Sequence, residues 1–118
     1  MMSHKILTGA SGQFYKFILY PPDTRWVNKP AIYVLVDKNL RPLYVGETGD
    51  LSSRQPGIRH PRWKDAAWHG ACAVLVKLAS YSEMARRNEE RDLVQAYAPV
   101  CNYQYRPTSP LNRPFSGL

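Results

Sequence analysis

The sequence predicts a small single-domain α/β sandwich of the α+β kind: a central, mainly antiparallel three-stranded sheet flanked by helices, with an extra N-terminal strand. Three observations carry that prediction. Residues 31–36 and 43–46 are short apolar runs with a period of two, close enough in sequence to form one hairpin. Ala71 to Leu78, bounded by Gly70, reads as a buried strand. Ser80 or Ser82 then caps a long helix that runs to about Tyr97 before Pro99 stops it. This alternation of strands and helices suits a layered domain.

Taken in order, Gln13 to Tyr20 is a strand candidate ending at Pro21-Pro22-Asp23, with apolar residues on both faces. Residues 1–30 are thus expected to be an extension with one strand that adds an edge or a cover to the sheet. In the hairpin, Ile32, Val34 and Val36 alternate with Tyr33, Leu35 and Asp37, and Leu43 and Val45 alternate with Tyr44 and Gly46. An even connection centred on Lys38 and Asn39 pairs Val34 with Leu43, Ile32 with Val45 and Tyr33 with Tyr44, so both phenols share a face. An odd loop or a bulge sends them to opposite faces. Tyrosines favour strands in any case, so the pair alone implies no function.

Beyond the hairpin, Thr48-Gly49-Asp50 break the strand, and Thr48 or Asp50 caps a short helix. Pro56 and Gly57 interrupt that helix, leaving Arg54 in its last turn or in the loop beyond. Pro61 to Trp68 predicts another helix with Pro61 at its first position. Residues 103–118, rich in proline and serine, predict an extended tail that packs on or flanks the domain.

The 118 residues suit one domain with one modest core. Sixteen Lys and Arg against nine Asp and Glu give a net charge of +7 and a pI near 9.7, which favours a polyanionic partner without specifying it. Cys72 and Cys101 stand far apart with no CxxC and no histidine pair, so no zinc site is expected and both thiols are expected reduced. No apolar run approaches the ~20 residues of a membrane span, and the polar start is unlike a signal peptide. A soluble, cytoplasmic protein with no membrane partner is expected.

Ala31-Ile32-Tyr33, ten intervening residues, Tyr44-Val45-Gly46, then Leu51 and Arg54 resemble the GIY-YIG nuclease family. Arg54 follows Tyr44 by ten positions, the interval of that family's catalytic arginine. Further along, Glu90 precedes Asn102 by twelve residues, with Pro99 between them, similar to the family's helix with a metal-binding glutamate and a Pro-x-x-Asn turn. The resemblance covers residues 31–102. It implies a metal-dependent endonuclease that hydrolyses DNA phosphodiester bonds in repair, recombination or mobile-element processing, using one Mg²⁺ or Mn²⁺ ion. A protein partner or a homodimer is a further expectation. The alternative is a noncatalytic nucleic-acid-binding module with the same fold.

The residue types fit that chemistry. Phosphodiester hydrolysis needs an activated water, a positive group for the charge on phosphorus, and stabilisation of the departing oxygen. Arg54 offers a planar, permanently charged fork for phosphate oxygens. Glu90 is the expected metal ligand, since magnesium is often held by only one or two carboxylates. Without a metal, Glu90 would instead be an ordinary salt-bridge partner of Arg86 or Arg87, contributing about 0.3–0.5 kcal/mol. The resemblance implies that a motif tyrosine takes the proton from water, Tyr33 first and Tyr44 second. A free phenol, with a pKa near ~10, is a poor base, so orienting the water is the alternative role. Gly46 and Asn102 are expected in support.

Three departures from the family pattern stand out. Ala31 replaces a glycine, Glu47 puts a negative charge where some relatives carry lysine, and His60 lies six residues after Arg54 where many relatives place a histidine at four. If Pro56-Gly57 loop out, His60 can reach the phosphate or share proton transfer; the alternative is a surface histidine. His4 and His69 have no motif support. Arg59, Arg62, Lys64 and Lys77 are candidates for phosphate contacts. Trp63 and Trp68 are expected to pack rather than to stack on a base.

Overall fold

The six residues of β3 (Ala31–Val36) are all buried, as befits a strand covered on both faces. In the computed structural model, which describes residues 3–102, it lies between β4 (Pro42–Thr48) and β5 (Ala73–Leu78). The N-terminal region supplies β1 (His4–Thr8) and β2 (Phe14–Tyr20), and the sheet order is β1-β2-β5-β3-β4, every pair antiparallel.

The α+β class is as expected, but the sheet has five strands. Residues 1–30 contribute two of them, and they continue the central sheet through Ile18, Leu19 and Tyr20, which pair with Val76, Leu75 and Val74. β1 escapes a periodicity reading because it buries only Leu7. Its punctuation was nonetheless present: Gly9 and Gly12 close the turn, with Gly12 at φ +91°.

One face of the sheet carries Leu7, Tyr15, Phe17, Ile32, Val34, Val45 and Leu75 under Leu93 and Val94 of α3 (Glu83–Tyr97). The opposite face buries Tyr33, Leu35, Val74 and Val76 beneath Leu51 of α1 (Leu51–Arg54) and Ala66 of α2 (Trp63–Trp68). Each fully buried aliphatic side chain contributes about 1.5–3 kcal/mol, so the doubly covered β3 anchors both layers.

Asp50, not Thr48, caps α1, its carboxylate accepting from Ser52 N at 2.9 Å. Ser82, not Ser80, caps α3. Pro61 falls outside α2, whose N-cap is Arg62, because the preceding turn is closed by the Trp63 N–H donating to the His60 carbonyl. β5 starts two residues later than expected, at Ala73. The tail expected over 103–118 lies outside the described residues.

The hairpin register also differs. Val34 opposes Val45, Leu35 opposes Tyr44, and Tyr33 opposes Gly46. The connection is odd, residues 37–41, because the Asp37 carboxylate accepts from the N–H groups of Asn39 and Arg41 and ties the loop to itself. A bulge between Leu35 and Val36 offsets that extra residue. Two irregularities cancel, and the tyrosines still share a face as diagonal neighbours.

Candidate functional site

Tyr33 is fully buried, and its ring lies across the backbone of Gly46, its cross-strand partner. A Cβ on residue 46 would fall inside the Tyr33 Cζ and Oη atoms, so only glycine leaves room for the phenol. Gly46→Ala is expected to displace Tyr33, costing about 1–3 kcal/mol as an overpacked core does. Denaturant unfolding checks this; a change below about 0.5 kcal/mol would mean that the ring does not depend on the missing side chain.

The ring of His60 completes a triangle, with centroids 5.3 Å from Tyr33 and 5.5 Å from Tyr44, the tyrosines being 6.3 Å apart. The six-residue interval from Arg54 closes through Gly57, which at φ +124° backs directly onto the Pro22 carbonyl, while Ile58 N donates to that same oxygen at 2.9 Å. His60 Nδ1 accepts from Arg62 N at 3.0 Å, and its Nε2 lies 2.8 Å from Tyr33 Oη. With Nδ1 accepting, the neutral ring carries its proton on Nε2 and donates it to Tyr33. Burial first, then Arg54 and Arg62, hold the imidazole neutral, with a pKa lowered to about 4.

Arg54 closes α1 as its last residue, exposed at the surface. Its positive charge acts on Tyr33, Tyr44, His60 and Glu90 alike. Burial raises both phenols' pKa values, and Arg54 opposes that in each. Tyr44 is the half-buried member of the pair, so it is the phenol that reaches solvent.

Glu90 comes from α3 and is 7% exposed. Neither of its expected helix partners forms an ion pair with it, although the charge of Arg87 acts on it. Arg86 Nε donates to Glu47 at 2.7 Å, with its Nη1 on the carbonyls of Ser80 and Tyr81, and Arg87 pairs with Glu83 at 2.8 Å. Among the described residues Glu90 makes no hydrogen bond or ion pair, and burial, then the charge of Glu47, push its pKa up to about 7. The negative charge of Glu47 is itself neutralised by Arg86.

A buried carboxylate that makes no ion pair among the described residues is a donor that a divalent ion fits. No group of three or more His, Cys, Asp or Glu side chains converges among the described residues. An Mg²⁺ or Mn²⁺ ion would therefore take Glu90 from the protein and fill its shell with water and phosphate oxygens.

Asn102 has a structural role. Its Oδ1 accepts from Val45 N and its Nδ2 donates to Val45 O, both at 2.7 Å, so a side-chain amide stands in for the next strand on the edge strand β4. This bond fixes the strand that carries Tyr44 and Gly46.

The predicted basic contacts divide. Arg62 is committed internally: its Nη2 donates to Cys101 O at 2.8 Å, and its guanidinium sits 5.6 Å from the Tyr44 ring centroid. Arg59 Nη2 donates to the carbonyls of Asp23 and Thr24, bracing that loop. Lys77 opposes Ile32 and is paired with Glu89 at 2.9 Å, on the sheet face away from Tyr33. Lys64 is exposed on α2. Trp63 packs against the core as expected, whereas Trp68 is 86% exposed. His4 and His69 are exposed and outside the cluster.

Tyr33, Tyr44, His60, Arg54 and Glu90 thus converge, although they come from two strands, a helix end, a loop and a second helix. No protein-family model matches this chain, and no curated protein shows significant similarity to it.

Proposed function

We propose that this chain is a metal-dependent endonuclease of the GIY-YIG type that hydrolyses phosphodiester bonds in DNA, in repair, recombination or mobile-element processing. One observation carries the proposal: Glu90 is a buried carboxylate without an ion-pair partner among the described residues, close enough to Arg54 and Tyr44 for their charges to act on one another.

In this reading Arg54 binds the scissile phosphate through its guanidinium fork and stabilises the charge that develops there. Glu90 holds Mg²⁺ or Mn²⁺, which when bound supplies positive charge for the departing 3′ oxygen. Tyr44, the solvent-facing phenol, meets the attacking water. Tyr33 and His60 stand behind it: Arg62 N–H donates to His60, His60 donates to Tyr33, and the Tyr33 ring lies beside that of Tyr44. The positive charges of Arg62 and Arg54 favour loss of the Tyr44 proton. Because Nδ1 of His60 is already accepting, the imidazole is a positioning group and not a base. Free thiols at Cys72 and Cys101 suit a reducing, intracellular compartment. No helix among the described residues is long and apolar enough to cross a membrane.

The raised phenol pKa values favour a second reading, a noncatalytic nucleic-acid-binding module. Labelled single-stranded, duplex, flap and branched DNA, incubated with Mg²⁺ or Mn²⁺ or with chelator, separates the two. Metal-dependent nicking that falls by about 10²–10³-fold in Arg54→Ala, as when one charge-stabilising donor is removed, supports the enzyme. Binding without cleavage supports the module.

A further inference from the structure

The sheet face that carries Tyr33 is covered by α1 and α2 over β3 and β4, but over β2 and β5 it opens into a groove of about 610 Å³. Its floor is apolar, formed by Ile18, Tyr20, Val76 and Leu78, and its wall is Trp26, Val27 and Leu51. Val27 and Leu78 are 63% and 61% exposed, an unusual state for aliphatic side chains lining one groove.

The charges around that floor are of one sign. Lys16, Arg25 and Lys29 line the groove, and no Asp or Glu does; Lys77 also borders it, but its ammonium lies on the opposite sheet face with Glu89. Lys77 is neutralised by Glu89, but Lys16, Arg25 and Lys29 have no carboxylate partner among the described residues. The wall is rigid where it is aromatic. Trp26 Nε1 donates to the Pro56 carbonyl at 2.7 Å, and the indole meets Tyr20 edge-on at 4.9 Å.

The groove is also tied to the candidate site. Pro56 lies two residues past Arg54, and Leu51 N, at the start of the same short helix, donates to the Lys29 carbonyl at 2.9 Å. The short helix that ends in Arg54 thus borders the groove through Leu51.

We propose that the groove binds an unpaired segment of the nucleic-acid substrate, with bases on the Tyr20–Trp26 wall and floor and phosphates on Lys16, Arg25 and Lys29. Resting on the nuclease reading, the proposal deepens it by naming a substrate class: DNA with a single-stranded flank. Aromatic surface beside a cationic rim is the chemistry of single-strand binding, since every base has a face to stack and every nucleotide a charge. The chain's own residues 103–118 are a poorer occupant, because they carry Arg106 and Arg113 and no acidic side chain. An acidic peptide would match the rim but has no use for the stacking wall.

The test uses the full chain in chelator, where no cutting occurs, and reads anisotropy of a labelled oligothymidylate of about twelve nucleotides and of a blunt duplex hairpin. The double variant Lys16→Glu/Arg25→Glu is expected to weaken oligothymidylate binding by about tenfold or more, with a shallower salt dependence, and to change duplex binding by less than about twofold. Val27→Asp, in the exposed wall, is expected to act in the same direction. Equal losses on both probes overturn the groove while leaving the nuclease reading intact. Rim-dependent oligothymidylate binding in a protein that cuts nothing supports the groove and removes the nuclease. Rim-dependent capture of a Glu-Leu repeat peptide in place of the oligonucleotide overturns the assigned occupant. So does a nuclear Overhauser contact between the Phe115 and Trp26 rings that oligothymidylate does not displace.

Discussion

Asn102→Asp is expected to lower the unfolding free energy by roughly 3–5 kcal/mol at neutral pH, the cost of an uncompensated buried charge, although it exchanges only an amide NH₂ for an oxygen. The amide of Asn102 is wholly buried and satisfies both backbone groups of Val45 on the edge strand. The introduced carboxylate can still accept from Val45 N, but it leaves the carbonyl without a donor and faces it with a buried negative charge. Its folded-state pKa would thus be raised. Stability is retained below the ordinary Asp range and lost as pH rises through the raised value, so acid should rescue the variant. Urea unfolding at pH 4 and pH 7.5 checks this, with the midpoint falling at the higher pH and the slope unchanged. A variant as stable as the parent at pH 7.5 would mean that the edge of β4 is held by something other than this amide.

Glu90→Gln is expected to do the reverse in metal-free protein. Glu90 has its pKa raised from 4.5 to about 7, so the folded state holds a proton that the unfolded chain has lost across that interval. Stability therefore falls as pH rises from 4.5 to about 7, by on the order of 3 kcal/mol. Glutamine keeps the shape and removes the charge, so the variant should be more stable than the parent by about that amount above pH 7 and equal to it below pH 4.5.

His60 runs with the opposite sign. Its pKa is lowered from 6.5 to about 4, so between those values the unfolded chain binds the extra proton, and stability rises with pH. From pH 4.5 to 6.5 the two groups oppose one another, and the parent should show a nearly flat profile over that interval. Glu90→Gln exposes the rising slope of His60, about 1.4 kcal/mol per pH unit, and thermal or urea unfolding across pH reads it directly. A Glu90→Gln profile as flat as the parent's would show that the two groups are not the titrating pair.

Both effects depend on contacts that the sequence shows only in part. The hairpin, the short helix bearing Arg54 and the long helix bearing Glu90 are legible because each has local punctuation: alternating apolar residues, Asp50, Ser82 and Pro99. Same-face placement of Tyr33 and Tyr44 is legible by parity, whereas their true register is not, since it depends on how Asp37 folds the loop onto itself. β1 is hidden because a five-residue strand that buries only Leu7 has almost no periodic signal.

Nothing in the spacing of Arg86 announces that it would reach across to Glu47, 39 positions away, and so leave Glu90 alone. Likewise the interval between Arg54 and His60 argues against His60 until the positive φ of Gly57 is seen to shorten it. Local chemistry is written in the sequence; which charged groups neutralise one another is decided by tertiary packing.

The most direct test of the account is a magnesium-started time course on DNA already bound to the protein, comparing the parent with Glu90→Gln under single-turnover conditions. Binding is read first by anisotropy in chelator, and the variant should hold the DNA as well as the parent does. After magnesium is added, the parent should cut and the variant should be slower by about 10³-fold or more, the loss expected when a charge-stabilising group is removed from a reacting centre. A Glu90→Gln protein that cuts within about tenfold of the parent would contradict the account, for the carboxylate on which it rests would then have no part in the chemistry.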